Sequence, residues 1–194
     1  MTAAFESCKR LLLIGSAGRN SGKTTLALAL IRALRGRYPV AALKVTSVAH
    51  LGGACPRGGK GCGACALDSR FALEEERGAL PNKDTARMLQ AGASPVYWLR
   101  ALRSALAEGY AAFRAQTAAD AVVVCESNNL REAVAPGCFV MLSGAAEPGA
   151  PAAKPSAERV MSLANIALER LPEGAELERL AARIVGHMEE LWNA

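Results

Sequence analysis

The chain has 194 residues and a mass of 20.2 kDa, which suits one domain and gives enough length for a sizeable core without disulfide or metal staples. Hydrophobic residues make up 51% and charged residues 21%, usage that excludes a disordered chain. Lys and Arg outnumber Asp and Glu by 23 to 18, a net charge of +5, too small and scattered an excess to imply nucleic acid but suited to phosphate-bearing ligands.

The first apolar run, residues 11–14, is short and closed by Gly15, so it predicts a buried parallel strand. Residues 24–37 predict a helix, with Leu26, Leu30, Ile31 and Leu34 at helical spacing and Arg32, Arg35 and Arg37 at the carbonyl end of its dipole. Pro39 stops it, and residues 40–46 follow as a second strand with Lys44 near its end. Residues 49–66 then carry six glycines and the cysteines Cys55, Cys62 and Cys65, a density that predicts a loop insertion within a single domain spanning 1–194.

Beyond the insertion, residues 71–77 predict a short helix, with Glu74, Glu75 and Glu76 on its solvated face, and residues 83–90 a better one. A strand at 96–99, a helix at 102–116 and a fully buried strand at 121–125 come next. Residues 139–142 read as a further strand, 150–157 as a Pro/Ala linker, 165–168 as a short last strand and 175–191 as an amphipathic helix. Strands alternating with helices imply a mostly parallel sheet covered on both faces. In such a sheet the ligand lies beyond the carboxyl ends of the strands, here the loops after Ile14, Thr46 and Cys125.

One stretch carries specific chemistry. Ala17-Gly18-Arg19-Asn20-Ser21-Gly22-Lys23-Thr24 matches the phosphate-loop pattern, with Ala17 in place of its first glycine. Small residues let backbone N–H groups curl around phosphates, Lys23 reaches the same oxygens, and Thr24 offers a hydroxyl to Mg²⁺. The helix that follows, with Thr25 in its first turn, points its positive end at the anion. The expected fold is therefore a three-layer P-loop NTPase, binding a nucleoside triphosphate. Such proteins need a carboxylate near the metal. The three aspartates, Asp68, Asp84 and Asp120, do not end apolar runs, whereas Glu126 directly follows Val122–Cys125 and takes that role. Asp120 precedes the same strand and reads as a turn residue.

The phosphate loop, Lys44, Lys83-Asp84-Thr85 before Ala91-Gly92-Ala93, and Glu126 form an ordered set over roughly residues 11–145 that resembles the MobB family. Glu126-Ser127-Asn128-Asn129-Leu130 followed by Pro136 is also similar to metallochaperone GTPases that load nickel. Both belong to the SIMIBI class of P-loop proteins. The resemblance implies a GTP-binding, slowly hydrolysing, homodimeric accessory protein of molybdenum-cofactor (molybdopterin guanine dinucleotide) maturation, with a nucleotidyltransferase or an apo-metalloenzyme as partner. The alternatives from other classes are a metal-delivery switch in which Cys55, Cys62 and Cys65 hold transferable metal, and a small-molecule kinase or ligase using ATP on the same fold. An Asn-Lys-x-Asp sequence for guanine is absent; Lys154, following the strand at 139–142, is the candidate to cover the base. Lys83 and Asp84 either line a substrate or switch region or simply open a helix.

His50, Cys55, Cys62 and Cys65 make a Cys₃His set with one CxxC half, compatible with tetrahedral Zn²⁺. The same cysteines are compatible with an iron–sulfur cluster whose fourth ligand is Cys125, Cys138 or a cysteine of a second copy. A redox dithiol at Cys62 and Cys65, or an unliganded loop, are the plainer readings. No run reaches membrane-spanning length and no signal-peptide pattern opens the chain, so a cytoplasmic protein without membrane or nucleic-acid partners is expected.

Overall fold

The computed structural model describes residues 6–18, 20–49, 51, 67–78, 80, 82–144 and 153–193. They form an α/β fold around a seven-stranded, mostly parallel sheet. In chain order the regular elements are β1 (Glu6–Ser16), α1 (Lys23–Leu34), β2 (Val40–Val48), β3 (Phe71–Glu75), α2 (Asp84–Ala91), β4 (Val96–Leu102), α3 (Leu106–Arg114), β5 (Val122–Glu126), β6 (Val134–Leu142), α4 (Pro155–Met161), β7 (Ile166–Leu168) and α5 (Gly174–Asn193). The spatial order is β3-β4-β2-β5-β1-β6-β7, and only the β3–β4 pair is antiparallel.

Side-chain alternation along the central strands builds two cores. Leu12 and Ile14 of β1 with Val122 and Val124 of β5 pack against α1, α2 and α5 on one face. Leu11 and Leu13 with Val123 and Cys125 pack against α3 and α4 on the other. A strand buried on both faces has no polar side to alternate, which is why these segments read as continuous apolar runs. Helices on both faces are compatible with a three-layer arrangement. Among the described residues no helix is long and apolar enough to cross a membrane.

Four expected elements change. Residues 71–77 contain an edge strand rather than a helix: Phe71 and Leu73 pack on one core while Ala72 and Glu74 face away. Five residues are too few to separate a period of 2 from one of 3.6, and β4 supplied the decisive backbone partner. The acidic run is consequently split three ways, Glu74 pairing with Arg100, Glu75 with Arg77, and Glu76 accepting from Thr85 and Gly78. The expected helix at 102–116 begins later, because β4 runs on to Leu102 and a 3₁₀ turn, Arg103–Ala105, precedes α3. β6 starts at Val134, five residues before the expected strand, pairing beside β1 through a register shift between Cys8 and Leu12. The last three residues of the supposed linker are helix: α4 opens with Pro155 in its first turn, where a missing N–H costs no hydrogen bond.

Phe113 is fully buried and meets Tyr97 edge-on and Tyr110 at a tilt. Truncation to Ala leaves a ring-sized void under the β4–β5 side of the sheet. We expect Phe113→Ala to cost about 3–5 kcal/mol in urea unfolding, with the slope of the transition unchanged; a loss below about 1 kcal/mol would mean that this face is not close-packed.

Candidate functional site

Parallel register places the site. Ile14 of β1, Glu126 of β5, Lys44 of β2 and Trp98 of β4 stand in one row across four strands, level with the carboxyl end of β5 and next to that of β1. The chain leaves β1 there and turns sharply into α1. Asn20 and Gly22 both have positive φ, 53° and 86°. Gly22 is doubly required: its backbone is left-handed, and a Cβ added to it would stand 2.8 Å from Leu171 Cδ2. Ala17 is not among the positive-φ residues, so the methyl that replaces the usual glycine meets no backbone penalty. Its N–H donates to Leu142 O at 2.8 Å, anchoring the start of the turn on β6.

α1 begins at Lys23 with Gly22 as its N-cap, so no side chain caps its first N–H groups, and no acidic residue occupies its first turn. The positive end of the helix is left for an anion. Lys23 Nζ donates to Ser16 Oγ at 2.5 Å, and Ser16 Oγ donates in turn to Gly18 O at 2.9 Å. Asn128 braces the same turn from β5: its Oδ1 accepts from Ser16 N at 2.8 Å and its Nδ2 donates to Ser16 O at 2.9 Å. Lys154 Nζ donates to Gly18 O at 2.7 Å. The base of the turn, Ser16 to Gly18, is thus tied to β6, to Asn128 beyond β5 and to Lys154.

Glu126 is 4% exposed, and its Oε1 has no hydrogen-bond partner among the described residues. Burial pushes its carboxyl above the usual carboxylate range, against the pull of Lys44, a hydrogen bond from Thr24 and the charge of Lys23, while Asp84 adds to the rise. Burial likewise holds Lys23 below the ordinary lysine value, opposed by Glu126 and Asp84 and assisted by Lys44. Lys44 is ion-paired to Asp84, the first residue of α2, and Arg87 stands 3.9 Å from the same carboxylate. Ser21 Oγ is a second buried atom without a partner among the described residues. An orphaned carboxylate oxygen beside a threonine hydroxyl is a donor set that suits a small hard cation such as Mg²⁺.

These groups line a polar cleft of about 450 Å³ that includes Asn20, Ser21, Gly22, Lys23, Thr24, Thr25, Lys44, Asp84, Arg87, Glu126 and Lys154. A second cleft of about 530 Å³ adjoins it, sharing Asn20, Ser21, Gly22 and Thr25. Its lining is largely apolar, with Leu142, Leu168, Leu171, Pro172 and Leu177, and also includes Glu169, Arg170 and Glu173. Comparison with family models, with curated proteins and with solved structures gives no match.

Most of the sequence-predicted residues therefore meet in one place. Asn20, Ser21, Gly22, Lys23, Thr24, Thr25 and Glu126 line the polar cleft, while Ala17 and Gly18 form the base of the turn. Lys154 lines the polar cleft and is not in the lining of the apolar one. Asp84 lines the cleft as well as opening a helix, so both readings of it hold together, whereas Lys83 is exposed at the N-cap. Arg19, His50, Cys55, Cys62 and Cys65 lie outside the described residues. Cys125 and Cys138 are buried strand residues whose thiols burial pushes up, the latter to about 11.

Arg87, Ser16 and the brace from Asn128 were missed. Ser16 and Asn128 sit on two different strand ends, 112 residues apart, and only pairing of β1 with β5 brings them together. Asn128 carried one usable sign: a short polar residue just past an apolar strand end.

The sign of the Glu126 shift sets a measurable pH dependence. A carboxyl raised on folding binds its proton more tightly in the folded chain, so its ionisation weakens folding. That cost is absent below the unfolded value and complete once pH exceeds the folded one. We expect Glu126→Gln to melt about 2–4 °C above the parent at pH 8, in the absence of ligands, for roughly 1 kcal/mol of relief, and the gain to fade toward pH 4. A gain that does not vary with pH would place its origin elsewhere.

Proposed function

We propose that this chain is a P-loop protein that binds a nucleoside triphosphate with Mg²⁺, GTP in preference to ATP, and hydrolyses it slowly. The observation that carries the reading is the left-handed Gly22 turn. It presents an uncapped helix N-terminus, Lys23 and Thr24 to the orphaned Glu126 carboxylate in one polar cleft. Backbone N–H groups of the turn and Lys23 would hold the phosphates. Thr24 and Glu126 would hold Mg²⁺, which supplies charge neutralisation between phosphate oxygens when bound.

The adjoining apolar cleft supports a nucleotide over a simple anion. A nucleotide needs one polar compartment for its phosphates and one apolar slot for a planar ring, joined by a short bridge. Asn20, Ser21, Gly22 and Thr25 form such a bridge here. Glu169 and Glu173 favour guanine, whose adjacent N1–H and N2–H₂ both donate, whereas adenine offers an acceptor at N1.

Slow hydrolysis follows from the lining of the polar cleft. Asp84 is paired with Lys44, and in this reading the open oxygen of Glu126 is taken by Mg²⁺, which leaves no further carboxylate among the described lining residues to orient a water. The resemblance to the MobB family extends the proposal to an accessory role in molybdenum-cofactor maturation, as a homodimer acting with a nucleotidyltransferase.

Calorimetric titration with Mg²⁺ present tests the nucleotide reading. We expect GTP to bind at least tenfold more tightly than ATP, and Lys23→Ala to lose at least a hundredfold in affinity, about 2.7 kcal/mol at 1.4 kcal/mol per decade. The Glu169→Gln/Glu173→Gln double variant should bring the GTP preference below threefold. Turnover by the isolated protein well above roughly 1 s⁻¹, the low end of ordinary enzyme rates, would refute slow hydrolysis. An ATP preference would refute the assignment to GTP and favour the kinase or ligase alternative.

A further inference from the structure

A third cleft, of about 430 Å³, opens on the side of the polar cleft away from the apolar one. It shares Lys23, Lys44, Glu126 and Lys154 with the polar cleft and no residue with the apolar cleft. The remainder of its wall comes from the ends of β2 and β4, the turn after β5, and α4: Thr46, Ser47, Trp98, Asn129 and Ser156 among others. The polar cleft therefore adjoins both of the others, and the lysines lie between it and the third.

Hydrogen-bond accounting shows what this wall has left to offer. Thr46 Oγ1 accepts from Trp98 Nε1 at 3.0 Å, Ser47 Oγ accepts from Asn129 Nδ2, and Ser156 Oγ accepts from Asn128 Nδ2 at 3.3 Å. Asn128 Oδ1 is occupied by Ser16 N, and Asn129 Oδ1 lies 3.4 Å from an Arg159 donor. With their oxygens engaged as acceptors, the three hydroxyls have their protons to give. Lys23 and Lys154 add positive charge, Lys44 is paired with Asp84, and among the described residues Glu126 is the one carboxylate in the lining. A wall of donors calls for a ligand rich in acceptor oxygens.

We infer that this cleft is the binding site of a second substrate, a small phosphate-bearing molecule seated beside the terminal phosphate of the nucleotide. The inference rests on the nucleotide reading above. A phosphate monoester carries close to two negative charges and three terminal oxygens, which three hydroxyl donors and the neighbouring lysines match better than they match a planar carboxylate. Lys23, Lys44 and Lys154 face both clefts, so they separate and neutralise two anions that would otherwise repel each other at short range.

The test uses the full chain, loaded with Mg²⁺ and a saturating non-hydrolysable GTP analogue and titrated with inorganic phosphate by calorimetry and phosphorus NMR. One phosphate is expected to bind per loaded chain. The Thr46→Val/Ser47→Ala variant should weaken it at least tenfold while analogue affinity changes less than twofold. Ser156→Ala, which alters the opposite wall, should also weaken phosphate and serves where the double variant fails to fold. No phosphate on the loaded chain, or affinity that none of these variants alters, overturns the inference. Malonate binding more tightly than phosphate overturns the phosphate assignment. A chain that takes no analogue refutes the nucleotide reading alone; phosphate titration of the bare chain then decides the cleft by the same dependence on Thr46 and Ser47.

Discussion

A carboxylate buried to the depth of Glu126 has lost most of its water and must find charge or donors inside the protein. The chain supplies Thr24 from one side and the charges of Lys23 and Lys44 from the other, and still leaves Oε1 without a partner among the described residues. Burial prevails over these attractions, so the ionised group is a standing cost to the folded state. Neighbouring features make sense around that cost. Lys44 is shared with Asp84, which ties the end of β2 to the start of α2. Lys23 is held over the turn by Ser16, which is itself fixed by Asn128. A site that maintains unsatisfied charge needs a rigid frame, because mobile side chains would relax toward water or toward each other.

The frame is the sheet. Four parallel strands bring Ile14, Glu126, Lys44 and Trp98 into register, and two apolar cores hold the strands from both faces. Parallel strands end together, so their carboxyl edge collects loops from distant parts of the chain. The result is graded chemistry along that edge: an apolar slot beside α5, a charged cleft at the head of α1, and a donor-lined cleft at the ends of β2 and β4. Each compartment borrows one wall from its neighbour, so a ligand in the middle is felt on both sides through the residues they share.

Local signals were strong where residue types themselves carried the chemistry. The phosphate-loop pattern was visible because its glycines, lysine and threonine are fixed by spacing, and Glu126 because it breaks an apolar run. The buried strands at 11–14 and 121–125 and the helix beginning near Thr24 were equally plain. Signals failed at β3, where five residues, two of them glutamates, read as a helix until β4 offered a partner. They did not show that Lys154, at the N-cap of α4, reaches Gly18.

What the sequence by itself determined is the set of local conformations and chemical groups: which segments are buried strands, where the left-handed turn falls, and which lysine, threonine and glutamate belong to it. These depend on backbone sterics, residue spacing and apolar periodicity, all of which act over a few residues. Only the tertiary structure decided which groups face each other. The Asn128 brace on Ser16, the Lys44–Asp84 pair and the meeting of Thr46 and Ser47 with Ser156 at one cleft join residues between 40 and 112 positions apart. Such meetings are set by strand order and register, and no local pattern encodes the order in which parallel strands lie side by side.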